Sequence, residues 1–88
     1  MNISRNIYYR FEENIDNGTL YIYIYDEEVV IKSKEFTYRV LKGIDQGSSI
    51  EKIEESLELW YESYSKKQIK ELIGQVIEFL ESHNIIYE

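Results

Sequence analysis

The first 33 residues contain three strand-like runs, and the rest of the chain has the periodicity of helices. Two runs flank Asn17-Gly18, a pair that tolerates the positive φ of a type I′ hairpin turn, and the third follows Asp26-Glu27. Two successive hairpins form a meander whose middle strand is central. The pattern predicts an α+β fold with an N-terminal three-stranded antiparallel sheet, at about residues 7–15, 19–25 and 28–32, followed by three helices.

The loop length at Asn17-Gly18 determines how the first two strands pair. A two-residue loop gives core-side pairs of Ile15 with Leu20, Glu13 with Ile22, and Phe11 with Ile24.

A second two-residue turn, at Asp26-Glu27, would place Val29 opposite Ile24 and Ile31 opposite Ile22. Strand alternation then puts Tyr21, Tyr23 and Tyr25 together on the other face. These tyrosines are either ordinary strand residues or a contact surface for a partner protein or a second copy.

Apolar spacing and capping residues predict where the first two helices lie. The first helix should run from about Lys34 to Asp45, with Gly47 closing it. Ser48 and Glu51 form a capping-box pattern, which starts the second helix near Ser49.

A further capping box, Ser65 with Gln68, opens the third helix, which should end near residues 82–84. The apolar tail Ile85-Ile86-Tyr87 is expected to pack back onto the core. Three helices joined by short capped turns and attached to a sheet resemble a winged-helix domain, here with the sheet first.

Composition limits the classes of protein to which this chain can belong. The 88 residues contain no linker-like segment, so residues 1–88 should form one domain. The absence of cysteine, of a signal-peptide run and of a bilayer-length apolar segment favours the cytoplasm and no membrane partner. A net charge of −7 lacks the basic footprint of a nucleic-acid binder, so no nucleic-acid partner is expected.

No residue group suited to bond-making chemistry stands out. His83 is the only histidine and lies near a predicted helix end, where it caps carbonyls or faces solvent. Adjacent carboxylates such as Glu12-Glu13 point in different directions. We expect no catalytic residue, metal site or cofactor. A sheet with a free edge, backed by helices, instead predicts a module that captures an extended peptide as a fourth strand.

Several sequence features also point to a known family. The third strand, Val29 to Lys32, is followed by Phe36 to Gly47, which ends in the pattern aliphatic-x-x-(Ile/Leu)-Asp-x-Gly. After Ser48 to Ile53 and a Tyr-Ser break, the third helix finishes in Phe79 to Ile86, with Asn84 where glycine is common. The stretch from about residue 20 to residue 87 resembles the PqqD-like domain, the leader-peptide recognition element of pathways for ribosomally made, modified peptides.

The resemblance implies a binding site between the third strand and the third helix. Members bind the unmodified leader of a precursor peptide, which adds as a strand in that cleft. By position, the site comprises Glu28, Val29, Val30, Ile31, Lys32, Lys66, Lys67, Lys70, Glu71, Gly74 and Gln75, over an apolar floor of Ile31, Ile73 and Ile77. Lys32, Lys67 and Lys70 would suit acidic leader side chains.

The resemblance also implies a partner, since members deliver the precursor to a separate tailoring enzyme, such as a radical-SAM protein, a cyclodehydratase or a leader peptidase. Two other functions remain open at this point: a winged-helix DNA-binding regulator that uses the third helix for recognition, and a small interaction or inhibitor module. A homodimer is compatible with each.

Overall fold

The computed structural model describes residues 1–88 and consists of five strands and three helices. In chain order they are β1 (Asn2–Ile3), β2 (Ile7–Glu12), β3 (Thr19–Ile24), β4 (Val29–Ser33), α1 (Glu35–Asp45), α2 (Ile50–Trp60), α3 (Lys66–Ser82) and β5 (Ile86–Tyr87). The three predicted strands correspond to β2, β3 and β4, which form an antiparallel sheet with β3 in the centre. The predicted α+β class, with a three-stranded antiparallel sheet followed by three helices, is confirmed.

The pairing of β3 with β4 follows the predicted register. Ile22 lies opposite Ile31, and Ile24 lies opposite Val29. The connecting turn has four residues, Tyr25–Glu28, because both strands stop one residue short of the expected two-residue loop. Glu28 has a φ of 53° and therefore lies in the turn, outside the strand to which the sequence assigned it.

The predicted register of β2 with β3 is wrong by four residues. Phe11 lies opposite Leu20 rather than Ile24, and Ile7 takes the place opposite Ile24. Ile15 and Glu13, which were expected to pair in the strand, lie in a six-residue loop that spans residues 13–18. Because the shift is even, the side chains of β2 and β3 remain on the faces that alternation predicts.

The loop is long because hydrogen bonds within it form a turn before the pairing of β2 with β3 begins. Asp16 and Asn17 both have positive φ, and the Ile15 carbonyl accepts hydrogen bonds from Gly18 N (2.9 Å) and Thr19 Oγ1 (2.8 Å). Gly18 has a φ of 110°, and a Cβ there would lie 2.8 Å from the Phe11 ring. Glycine is thus required both for its conformation and for the close approach of Phe11.

The core lies between the inner face of the sheet and the three helices. From β3 it takes Leu20, Ile22 and Ile24, which are at most 4% exposed. The helices and the C-terminal segment contribute Val40, Leu41, Ile44, Ile53, Leu57, Ile69, Ile73, Leu80, Ile85 and Ile86. The outer face carries the tyrosines as predicted, since Tyr23 is 36% exposed and its ring lies 5.8 Å from that of Tyr8.

Capping residues fix the helix starts. Ser65 and Gln68 form the predicted capping box at α3. At α2 the cap is Ser49, whose side chain accepts a hydrogen bond from Lys52 N, and not Ser48 as the sequence pattern indicated. At the end of α1, Gly47 adopts a φ of 78° and closes the helix as expected.

The two ends of the chain form a small sheet that the sequence did not predict. Asn2 pairs with Tyr87 and Ile3 with Ile86, so β5 is held against the core by β1. Asn84, with a φ of 58°, turns the chain from α3 into β5. The expected packing of residues 85–87 is confirmed for Ile85 and Ile86, which are 0% and 2% exposed.

Replacing Ile22 by alanine should lower the free energy of unfolding by about 2–5 kcal/mol, because a fully buried side chain at the centre of the sheet leaves a cavity. Tyr23→Ala should cost clearly less, since this ring faces outward. Urea denaturation of both variants measures the two losses. An equal or larger loss for Tyr23→Ala would contradict the assignment of the faces.

Tyr9 on β2 connects the sheet to the end of α1. Its hydroxyl donates a hydrogen bond of 2.5 Å to Asp45 Oδ2, and burial together with this carboxylate raises the pKa of Tyr9 above its usual range. The phenol is thus neutral in the fold over a pH range in which it would ionise in the unfolded chain. Its contribution to stability is complete below the unfolded pKa of about 10 and declines as pH rises above it.

Tyr9→Phe removes this titration. We expect the stability difference between the parent and Tyr9→Phe to be constant at neutral pH and to shrink above pH about 10. Urea midpoints measured from pH 7 to pH 11 test this, and a difference that stays constant over the whole range would contradict it.

Candidate functional site

One hydrogen bond at the end of β3 shows which backbone groups of β4 face solvent. Tyr25 N donates to the Asn6 carbonyl (3.0 Å), so the odd-numbered residues of β3 bond to β2. In an antiparallel ladder the hydrogen-bonding direction alternates along a strand. Leu20, Ile22 and Ile24 therefore bond toward β4, as the register allows.

The same alternation leaves two residues of β4 with free backbone groups. Val29, Ile31 and Ser33 face β3, whereas the N–H and C=O groups of Val30 and Lys32 point away from the sheet. No turn, loop or capping hydrogen bond involves the backbone of Val30 or Lys32. Val30 is 49% exposed. The outer edge of β4 is therefore open to another strand.

A groove of about 210 Å³ lies beside this edge. Its lining residues are Lys32 and Ser33 from β4, Thr37 from α1, and Gln75, Val76 and Phe79 from α3. The Ser33 and Thr37 hydroxyls share a hydrogen bond of 2.7 Å, which attaches the end of β4 to the first turn of α1. The strand edge and the helix wall thus form a cleft with a fixed base.

The groove continues along α3 toward its N-terminus. Gln75 also borders a second depression, of about 270 Å³, lined in addition by Tyr64, Gln68, Glu71 and Leu72. Together the two depressions follow about three turns of α3. Their apolar surface comes from Leu72, Val76 and Phe79, at the i, i+4 and i+7 positions of one helix flank.

The structure brings only part of the predicted site together. Val29, Val30, Ile31 and Lys32 lie on β4, Gln75 lines the groove, and Glu71 lines the adjoining depression. Glu28 lies in the turn before β4. Ile73 is a core residue that is 2% exposed, and neither it nor Ile77 lines the groove, where Val76 and Phe79 supply the apolar surface instead.

The basic residues of α3 that were assigned to the cleft lie on another side of the helix. Successive residues turn by about 100° around a helix axis, which puts Lys66, Lys67, Lys70 and Gly74 on the side of the buried stripe away from Val76 and Phe79. None of the four lines either depression. Lys67 and Lys70 thus do not line the cleft, and their attraction of an acidic peptide stays a prediction.

Lys32 is the one charged side chain that lines the groove beside β4. Its ammonium lies 5.8 Å from the centre of the Tyr21 ring, on the outer face of the sheet. A denser group of cations, Arg39, Lys42 and Lys52, lines a depression of about 290 Å³ between α1 and α2, and no carboxylate shares that lining. Arg39 is paired with Glu35 (2.5 Å), so Lys42 and Lys52 are the cations of this lining that form no salt bridge.

No group of three or more His, Asp or Glu side chains is arranged to hold a metal ion. No helix combines the length and the apolar character needed to cross a membrane. Comparison with protein-family models, curated proteins and solved structures finds no match for this chain.

Amide hydrogen exchange tests the assignment of the free edge without any ligand. The N–H groups of Val30 and Lys32 should exchange faster than that of Ile31, which is bonded to β3. Residue-resolved exchange by NMR measures this alternation. Fast exchange of Ile31 together with slow exchange of Val30 would reverse the assigned direction of the edge.

Proposed function

We propose that this chain binds the leader segment of a ribosomally made precursor peptide as an added strand on β4 and presents it to a separate modifying enzyme. The observation that carries the proposal is the open backbone of Val30 and Lys32 beside a groove walled by α3. The proposed setting is the cytoplasm, and the proposed enzyme is a radical-SAM protein, a cyclodehydratase or a leader peptidase.

Strand addition supplies the register of the bound peptide. Val30 and Lys32 together offer two N–H donors and two C=O acceptors, and each hydrogen bond contributes about 0.5–1.5 kcal/mol net. These bonds are independent of peptide sequence, so they hold any extended segment without proline at the bonded positions.

Selectivity comes from the alternation of side chains along the added strand. Every second peptide residue points to the inner face and meets Val76 and Phe79, while the others lie on the outer face beside Val30 and Lys32. Burying one large apolar side chain contributes about 1.5–3 kcal/mol. Part of the total is offset by the cost of ordering the peptide, which leads us to expect micromolar affinity.

The chemistry of the cleft supports binding rather than catalysis. Its two hydroxyl groups, on Ser33 and Thr37, are hydrogen-bonded to each other, and no histidine lines it. The exposed surface of α3 also carries Glu71, Glu78 and Glu81, which would face phosphates if this helix entered a DNA groove. A peptide-binding module is the function that these features favour.

Two proline substitutions test the backbone contribution. Val30→Pro removes an outward N–H and places the proline ring where the added strand would lie, so the loss of the bond and the clash together should reduce peptide affinity about tenfold or more while the fold persists. Ile31→Pro removes an N–H that bonds to β3, so it should destabilise the protein itself. The probes are fluorescein-labelled synthetic peptides that span the N-terminal halves of short reading frames beside the gene, measured by anisotropy, with circular dichroism as the folding control.

A matched pair of charge reversals tests the position of the site. Lys32→Glu places a negative charge in the groove and should change the affinity for charged probes in a salt-dependent way. Lys67→Glu makes the same change on the far flank of α3 and should leave affinity unaltered. Equal effects of both variants, or full affinity of Val30→Pro, would exclude capture along β4.

A further inference from the structure

We propose that, when no peptide is bound, two copies of this chain pair through β4, so that each copy covers the open edge of the other. The dimer itself requires only the edge described above. Its consequence, that a second copy competes with the peptide, rests on the proposed function.

The edge of β4 has few of the features that keep sheet edges apart. Natural edges are protected by proline, by bulges, by several charges or by a covering loop. The chain contains no proline, and β4 pairs with β3 without a bulge. Val29 and Val30 are 43% and 49% exposed, and Lys32 is the one charged residue of the strand. Such an edge is suited to pairing with a second edge.

Symmetry and backbone direction leave three registers to compare. A twofold dimer pairs β4 with itself antiparallel, and Val30 and Lys32 are the residues that can bond across the interface. A register centred on Lys32 brings two ammonium groups together, which is unfavourable. A register centred on Val30 leaves part of the strand unpaired.

The register centred on Ile31 avoids both the contact between ammonium groups and the unpaired part of the strand. It pairs all of β4, and Val30 of each copy exchanges two backbone hydrogen bonds with Lys32 of the other. On the inner face the two Ile31 side chains meet, next to the groove lined by Val76 and Phe79. On the outer face the stem of each Lys32 covers an exposed Val30.

Charges at the ends of the strand favour the same register. Centring on Ile31 brings Glu28, in the turn before β4, near Lys34 of the other copy, which directly follows β4, at both ends of the interface. Both residues are exposed, and neither forms a salt bridge within its own chain. Exposed ion pairs contribute little to stability, but they discriminate between registers that are otherwise similar.

The interface is small, since it is one five-residue strand with its flanking side chains. Specific dimers usually bury well over 1,000 Å², so we expect a weak and reversible dimer, with a Kd of roughly 10 µM to 1 mM. At low concentration the edge is open, and at high concentration a peptide must displace the second copy.

Sedimentation equilibrium without peptide tests the dimer. We expect the parent to dimerise and Val30→Pro to remain a monomer. Glu28→Lys and Lys34→Glu should each weaken the dimer roughly tenfold, because two attractive pairs become repulsive. The double variant Glu28→Lys/Lys34→Glu should restore the parent Kd. A parent that stays monomeric to about 1 mM, or a double variant as weak as the single ones, would overturn the proposal.

Peptide binding separates this proposal from the proposed function. With the labelled probes above, the apparent affinity of the parent should fall as its own concentration rises, and Lys34→Glu should not show this fall. Dimerisation without any peptide binding would refute the proposed function and leave the dimer intact. A dimer that binds peptide with no dependence on concentration would refute the competition.

Discussion

The arrangement of this molecule depends on β3, the strand that is hydrogen-bonded on both edges and buried on one face. Leu20, Ile22 and Ile24 occupy the centre of the core, so a slip of one residue would move all three to the tyrosine-bearing face. Burial thereby fixes which residues of the sheet face the core. Because β4 pairs with β3 in one register, the outward direction of the backbone N–H and C=O groups of Val30 and Lys32 is a consequence of core packing, not of the local sequence.

Alternation along β3 and β4 was sufficient to predict the faces of the sheet, but it did not predict loop geometry. Asn17-Gly18 is indeed in a turn with positive φ, yet Asp16 joins it and the Ile15 carbonyl accepts two hydrogen bonds, which lengthens the loop. Loop length depends on such local bonds, which residue type does not determine. The β1–β5 pairing was missed because two-residue strands have no periodicity.

For the candidate site, periodicity predicts which residues of α3 are buried, whereas packing decides which flank of the helix lines the cleft. The apolar spacing of α3 identifies its buried stripe, including Ile69 and Ile73. The flank of that stripe that faces β4 depends on how the helix packs against the sheet. From the sequence alone, the flank with the lysines and the flank with the apolar residues were equally good candidates for the wall of the cleft. The one available signal was Leu72, Val76 and Phe79, whose apolar side chains widen the stripe on one side beyond what the core buries.

The pairing of β1 with β5 has a consequence for how such a domain can be combined with others. Asn2 and Tyr87 are adjacent, so a polypeptide could enter and leave the domain at one point. Insertion into a surface loop of a larger protein would therefore require neither a long linker nor any change in the sheet. The same proximity makes the molecule suitable for circular permutation, in which a short peptide joins the present ends and new ones open in the loop of residues 13–18.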